Sequence, residues 1–122
     1  MSRHEELNRV LRGLLSGSPE IEAAAIVSDD GLAVASALPP QTEESRVAGL
    51  SALLLSLGTL VARELGREGL EQVLIRGTKE KCIVMVNASP GTFLIALTTQ
   101  EAKLGVVSLD LKRAVAEVTK VL

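Results

Sequence analysis

Apolar residues near the start of the chain recur at Leu7, Val10, Leu11, Leu14 and Leu15, the i, i+3, i+4, i+7, i+8 spacing of a single helical stripe. Ser2 and Glu5 stand at capping-box spacing before it, and Gly17-Ser18-Pro19 closes it. Two short apolar runs follow, Glu22 to Ser28 and Leu32 to Ser36. The Asp29-Asp30-Gly31 junction between them provides the positive φ angles of a tight hairpin. Pro39-Pro40 ends that unit. The helical period returns from Thr42 to Leu65, where Thr42 is placed to cap and Glu43 and Glu44 suit the positive end of the helix dipole. Gly66 and Gly69 terminate it. Three strand-like runs come next: Gln72 to Arg76, Cys82 to Asn87 and Thr92 to Thr98. Short polar or turn-forming junctions separate them, so consecutive antiparallel pairing is expected. Thr98 and Glu101 have capping-box spacing before a last stripe through Leu104, Val107, Leu111, Ala114, Val115, Val118 and Leu122.

Grouped strands, as opposed to strands alternating with helices, indicate an α+β fold with an antiparallel sheet. The expected order is helix-strand-strand-helix-strand-strand-strand-helix, with residues 1–122 forming a single domain. Ile83-Val84-Met85-Val86 and Phe93-Leu94-Ile95-Ala96-Leu97 have no polar alternation, which implies burial on both faces. A five-stranded antiparallel sheet sandwiched between helices follows.

The second helix departs from the usual amphipathic pattern. Its large residues (Val47, Leu50, Leu53, Leu54, Leu57, Leu60, Val61 and Leu65) fill one arc, expected to lie on the sheet. The opposite side holds Ala48, Gly49, Ser51, Ala52, Leu55, Ser56, Gly58, Thr59 and Ala62, with Arg63 only near the end. A small, uncharged outer face invites a cover, and small residues allow two helix backbones to approach closely. The other two helices are needed on the opposite sheet face. A second copy is the expected cover, giving a two-fold dimer.

Composition narrows the function. The 122 residues are 47% hydrophobic and 23% charged, with a net charge of −2. That balance excludes disorder and offers no basic field for nucleic acid or anionic membrane. Phe93 is the only aromatic residue, so base-stacking platforms and aromatic cages cannot be built. The uncharged run from Val47 to Ala62 is shorter than the roughly 18 apolar residues of a membrane span. Neither membrane insertion nor a signal peptide is expected. Cys82 stands alone, which fits a reduced, cytoplasmic setting.

Catalytic chemistry is sparse. His4, the one histidine, has no partner at metal-ligand spacing, and Cys82 reads as a small buried hydrophobe. Asp29 and Asp30 are explained by their turn. None of the ten glycines precedes a lysine, so there is no P-loop, and G-x-G-x-x-G does not occur. Gly77-Thr78-Lys79-Glu80-Lys81 reads as a solvated hairpin tip. No catalytic residue, metal or cofactor is expected, and the chain is not read as an enzyme.

Taken together, Ile26 to Ser36, the small-residue helix through Leu50 to Leu65, and Phe93 to Thr98 leading to Leu104-Gly105 resemble the roadblock family, which includes the roadblock light chains of dynein. The resemblance implies a roadblock/profilin-like fold and homo- or heterodimers that pair the long middle helices and join the third strands. Carried onto this chain, it assigns Leu70 to Gly77 as the pairing edge and the Ala48 to Ala62 surface as the helix contact. The interface set is then Ala48, Gly49, Ala52, Leu55, Ser56, Thr59, Arg63, Val73 and Ile75. The resemblance also implies binding to a Ras-like small GTPase, either regulating or anchoring it, with Arg63, Arg67 and Arg76 as exposed arginines on this chain. A ligand-sensing domain and a purely structural dimerisation scaffold are the alternatives on the same fold.

Overall fold

Five strands and three helices occur in the expected order in the computed structural model, which describes residues 2–122. They are α1 (Arg3–Gly17), β1 (Ile21–Ser28), β2 (Ala33–Ala37), α2 (Glu44–Glu64), β3 (Gln72–Arg76), β4 (Cys82–Ser89), β5 (Thr92–Thr98) and α3 (Leu104–Val121). All strand pairs are antiparallel, and the sheet order is β2-β1-β5-β4-β3. The long-range pair β1–β5 closes the middle of the sheet, with Ala24 opposite Ala96 and Ile26 opposite Leu94. Consequently α2 links one edge strand, β2, to the other, β3, across a sheet face.

The helices divide two to one. Leu7, Leu11, Leu14, Val107, Leu111 and Val118 from α1 and α3 pack with Ala24, Ile26, Val84, Leu94 and Ala96. On the other face Ala25, Val27, Met85 and Ile95 pack with Ala48 and Leu55 of α2. Neighbouring residues of β1, β4 and β5 thus serve opposite cores, which explains their unbroken apolar runs.

Local chemistry agrees with the patterning at α1 and corrects it at the other two helix starts. The Ser2 hydroxyl accepts from the Glu5 amide at 3.2 Å, as the capping box requires. Thr42 does not cap α2. Its amide donates to Pro39 O in a turn, and Glu43 occupies the cap without a side-chain bond. Thr98 does not start α3 either: it ends β5, where its hydroxyl accepts from the Cys82 amide at 2.9 Å. The cap there is Lys103, whose amide donates to the Glu20 carboxylate at 2.9 Å, a partner too distant in sequence for local spacing to reveal.

Gly31 carries the β1–β2 turn at φ +86° and lies 3.9 Å, measured from an added Cβ, from both the Gly49 backbone and the Ala52 methyl. Left-handed backbone costs an L-residue about 1–2 kcal/mol. Gly31→Val is therefore expected to lower unfolding stability by at least that much, because its methyls also meet α2. A chemical denaturation midpoint equal to that of the unsubstituted chain would contradict this account.

Candidate functional site

The orientation of α2 reverses the expectation from its pattern. Its buried residues are Ala48, Ser51 and Leu55, on the small-residue side. The large residues point outward instead: Leu50 is 59% exposed, Leu53 69%, Leu57 59% and Leu60 43%, with Val61 and Leu65 also open. The sheet explains the reversal. Met85, Ile95, Phe93 and Ile83 already supply bulk on this face, so the helix facing them must contribute little. A Cβ on Gly58 would lie 3.1 Å from Leu70 Cδ2 and 3.6 Å from Val73 Cγ2. Gly58 thus serves the close approach of α2 to Leu70 and Val73.

This correction redistributes the expected interface set. Ala48 and Leu55 are buried within the chain, 1% and 4% exposed, and cannot meet a partner. Gly49 and Ala52 are half-buried beside the Gly31 turn. Ser56, Thr59 and Arg63 are exposed along the flank of α2; Val73 is half-buried and Ile75 exposed. Patterning alone does not reveal the outward ridge of Leu50, Leu53, Leu57 and Leu60, because large apolar side chains ordinarily face a core. The exposed apolar side of α2 is therefore its leucine side.

Beside α2 lies an open sheet edge. Among the described residues β3 pairs only with β4, from Gln72↔Val86 to Arg76↔Cys82. Val73 and Ile75 sit opposite Met85 and Ile83, on the α2 face, while Leu74 sits opposite Val84 on the other. Leu74 is 46% and Ile75 40% exposed. The far edge differs: β2 packs under α1, and the His4 Nδ1–H donates to Val34 O at 3.1 Å while Nε2 accepts from Asn8. An apolar edge without such protection is a template for another strand.

By length and composition alone, α2 could also cross a membrane. Its Ala48, Ser51 and Leu55 side is instead packed on the sheet. Cys82 is buried, its thiol 3.9 Å from Glu80 O. Among the described residues no three His, Cys, Asp or Glu side chains group as a metal site would require. A groove of about 390 Å³ between α1 and α3 opens to solvent past Arg9, Gly13, Ser18 and Arg113; within it the Ser18 hydroxyl donates to Asp110 at 2.5 Å.

The profile of the Roadblock/LC7 domain matches residues 7–98. The chain belongs to the Roadblock/LC7 family. It is 32% identical over 108 residues to the uncharacterized protein MJ0714 of Methanocaldococcus jannaschii, covering 88% of this chain and 89% of that one. A second protein of that organism, the uncharacterized MJ1340, is 31% identical over 112 residues, covering 92% and 96%. Among solved structures, Myxococcus xanthus MglB superposes with a TM-score of 0.89 at 22% identity, over 97% of this chain and 88% of MglB. The fold of this Roadblock/LC7 chain is therefore the helix-flanked five-stranded sheet expected from its element order.

Proposed function

We propose that this Roadblock/LC7 chain is a non-catalytic, cytoplasmic dimeric module that binds a Ras-like small GTPase and regulates or anchors it. The exposed ridge of α2 beside the open β3 edge carries the reading. Four leucines between 43% and 69% exposed on one helix form an apolar surface of the kind that marks an interaction site. The family resemblance supplies the partners: a second copy or a paralogue joining at α2 and β3, and a small GTPase on the assembled surface.

The chain acts on nucleotide turnover through the GTPase's own machinery, by ordering its switch segments or by presenting an arginine. Arg67 donates to Leu65 O and Arg76 pairs with Glu80 at 3.7 Å. Arg63, exposed on α2 beside the ridge, is the arginine best placed for a partner.

Titration of the purified chain into a cognate GTPase loaded with GDP or with a non-hydrolysable GTP analogue tests the reading. Binding to at least one form is expected, with the two affinities differing if the role is regulatory. Arg63→Ala should leave binding largely intact yet reduce any stimulation of hydrolysis. Absence of binding to both forms would remove the GTPase from the account.

A further inference from the structure

The two edges of the sheet differ in their backbone. Along β2 the ladder to β1 slips by one residue: Ala35 sits opposite Ile26 and Ala33 opposite Val27, so Val34 stands between them with no partner. An extra residue of this kind bends an edge strand and breaks the regular row of groups that an incoming strand needs. The Val34 carbonyl is engaged as well. It accepts from the His4 Nδ1–H at 3.1 Å, and the Asn8 amide, 3.0 Å from Nε2, holds the ring in that tautomer. On the other face, where Ser36 sits opposite Ala25, the Ser36 hydroxyl donates to the Glu44 carboxylate at the start of α2. Pro39 and Pro40, just past the end of β2, supply no amide hydrogen with which pairing could continue. β3 has neither bulge nor proline: its ladder to β4 runs one-to-one from Gln72 to Arg76.

We propose that His4 and the Val34 bulge close the β2 edge, so that this chain takes up another copy at one sheet edge only and assembly stops at two. This limit rests on the proposed dimer joined at β3 and accounts for its size. A sheet with two open edges gains a strand at each end, and its copies join without closing, as in a filament. A sheet with one open edge is used up by a single partner. His4 is placed for this task. It lies in the first turn of α1, a helix anchored to the sheet by Leu7 and Leu11, yet its own side chain is exposed and belongs to neither core. Without the ring, the Val34 carbonyl would be an unpaired acceptor on an edge strand, open to the amide of an incoming strand.

Opening the edge tests this in the full chain. His4→Ala combined with deletion of Val34 removes the ring and restores a continuous β2 ladder. In sedimentation, the mean mass of this variant should keep rising with concentration past twice the 12.8 kDa of one chain, while the unsubstituted chain levels off there. His4→Ala alone, which leaves both cores untouched, should already exceed that limit at the highest concentrations, and it decides the matter if circular dichroism shows the deletion unfolded. Adding Leu74→Lys to the opened variant charges the β3 edge and should hold growth to at most two copies. Continued growth with that lysine present would overturn the proposal, because association would not run through the sheet edges. Folded variants no heavier than the unsubstituted chain would also overturn it, as would an unsubstituted chain that itself grows past two copies. An unsubstituted chain that stays monomeric at every concentration would remove the β3 dimer; growth of the opened variant would then still uphold the closed edge, and its absence would overturn both.

Discussion

Leu53→Lys is expected to turn a self-associating chain into a folded monomer. Leu53 is 69% exposed in the isolated chain, so its loss removes almost nothing from either core. Fully burying a leucine contributes about 1.5–3 kcal/mol, and two-fold symmetry counts the change twice. A lysine at the same place adds the cost of desolvating its ammonium against the apolar surface of the second copy. Together these effects should weaken association by a factor of about 100 or more. Sedimentation should report a monomer at concentrations where the unsubstituted chain is a dimer, while far-ultraviolet circular dichroism stays unchanged. A variant that still dimerises with undiminished affinity would show that the ridge is not the contact.

Two residues along the same helix, the opposite outcome is expected. Leu55 is 4% exposed and packs with Ala25, Val27, Met85 and Ile95. Leu55→Ala should cost about 2–5 kcal/mol of folding stability, the usual range for truncating a buried leucine. For a chain of this size the lower end of that range lowers the melting temperature by roughly 10 °C. Comparing unfolding at several protein concentrations separates the two substitutions. The Leu55 variant should lose stability at every concentration. The Leu53 variant should lose only the part that depends on concentration. Equal behaviour of the pair would mean that α2 lies on the sheet differently.

Much of the fold was legible because each element carries its own period and punctuation. The α1 stripe and Ser2–Glu5 cap, the Gly31 turn and the double-sided strands each need only neighbours in sequence. The Thr42 cap failed locally, to a turn closed on Pro39, but the other failures share one cause: they depend on residues far away along the chain. Lys103 is capped by Glu20, and Thr98 is held by the strand beside it, so the start of α3 could not be placed by spacing alone. The orientation of α2 failed similarly. Periodicity separates a large face from a small one, but which face turns inward depends on how much volume the sheet already provides. Met85, Ile95 and Phe93 provide it here. The edge position of β3 was likewise beyond local patterning, since it follows from β1 pairing with β5; only the family resemblance pointed to it.

Because α1 and α3 share the side of the sheet opposite α2, the first and last helices both lie behind the leucine ridge. Fluorescent reporters, affinity handles or tethers to a surface can be attached at both ends without shading the leucines. Such a chain can be immobilised from the back while its front stays available for pairing.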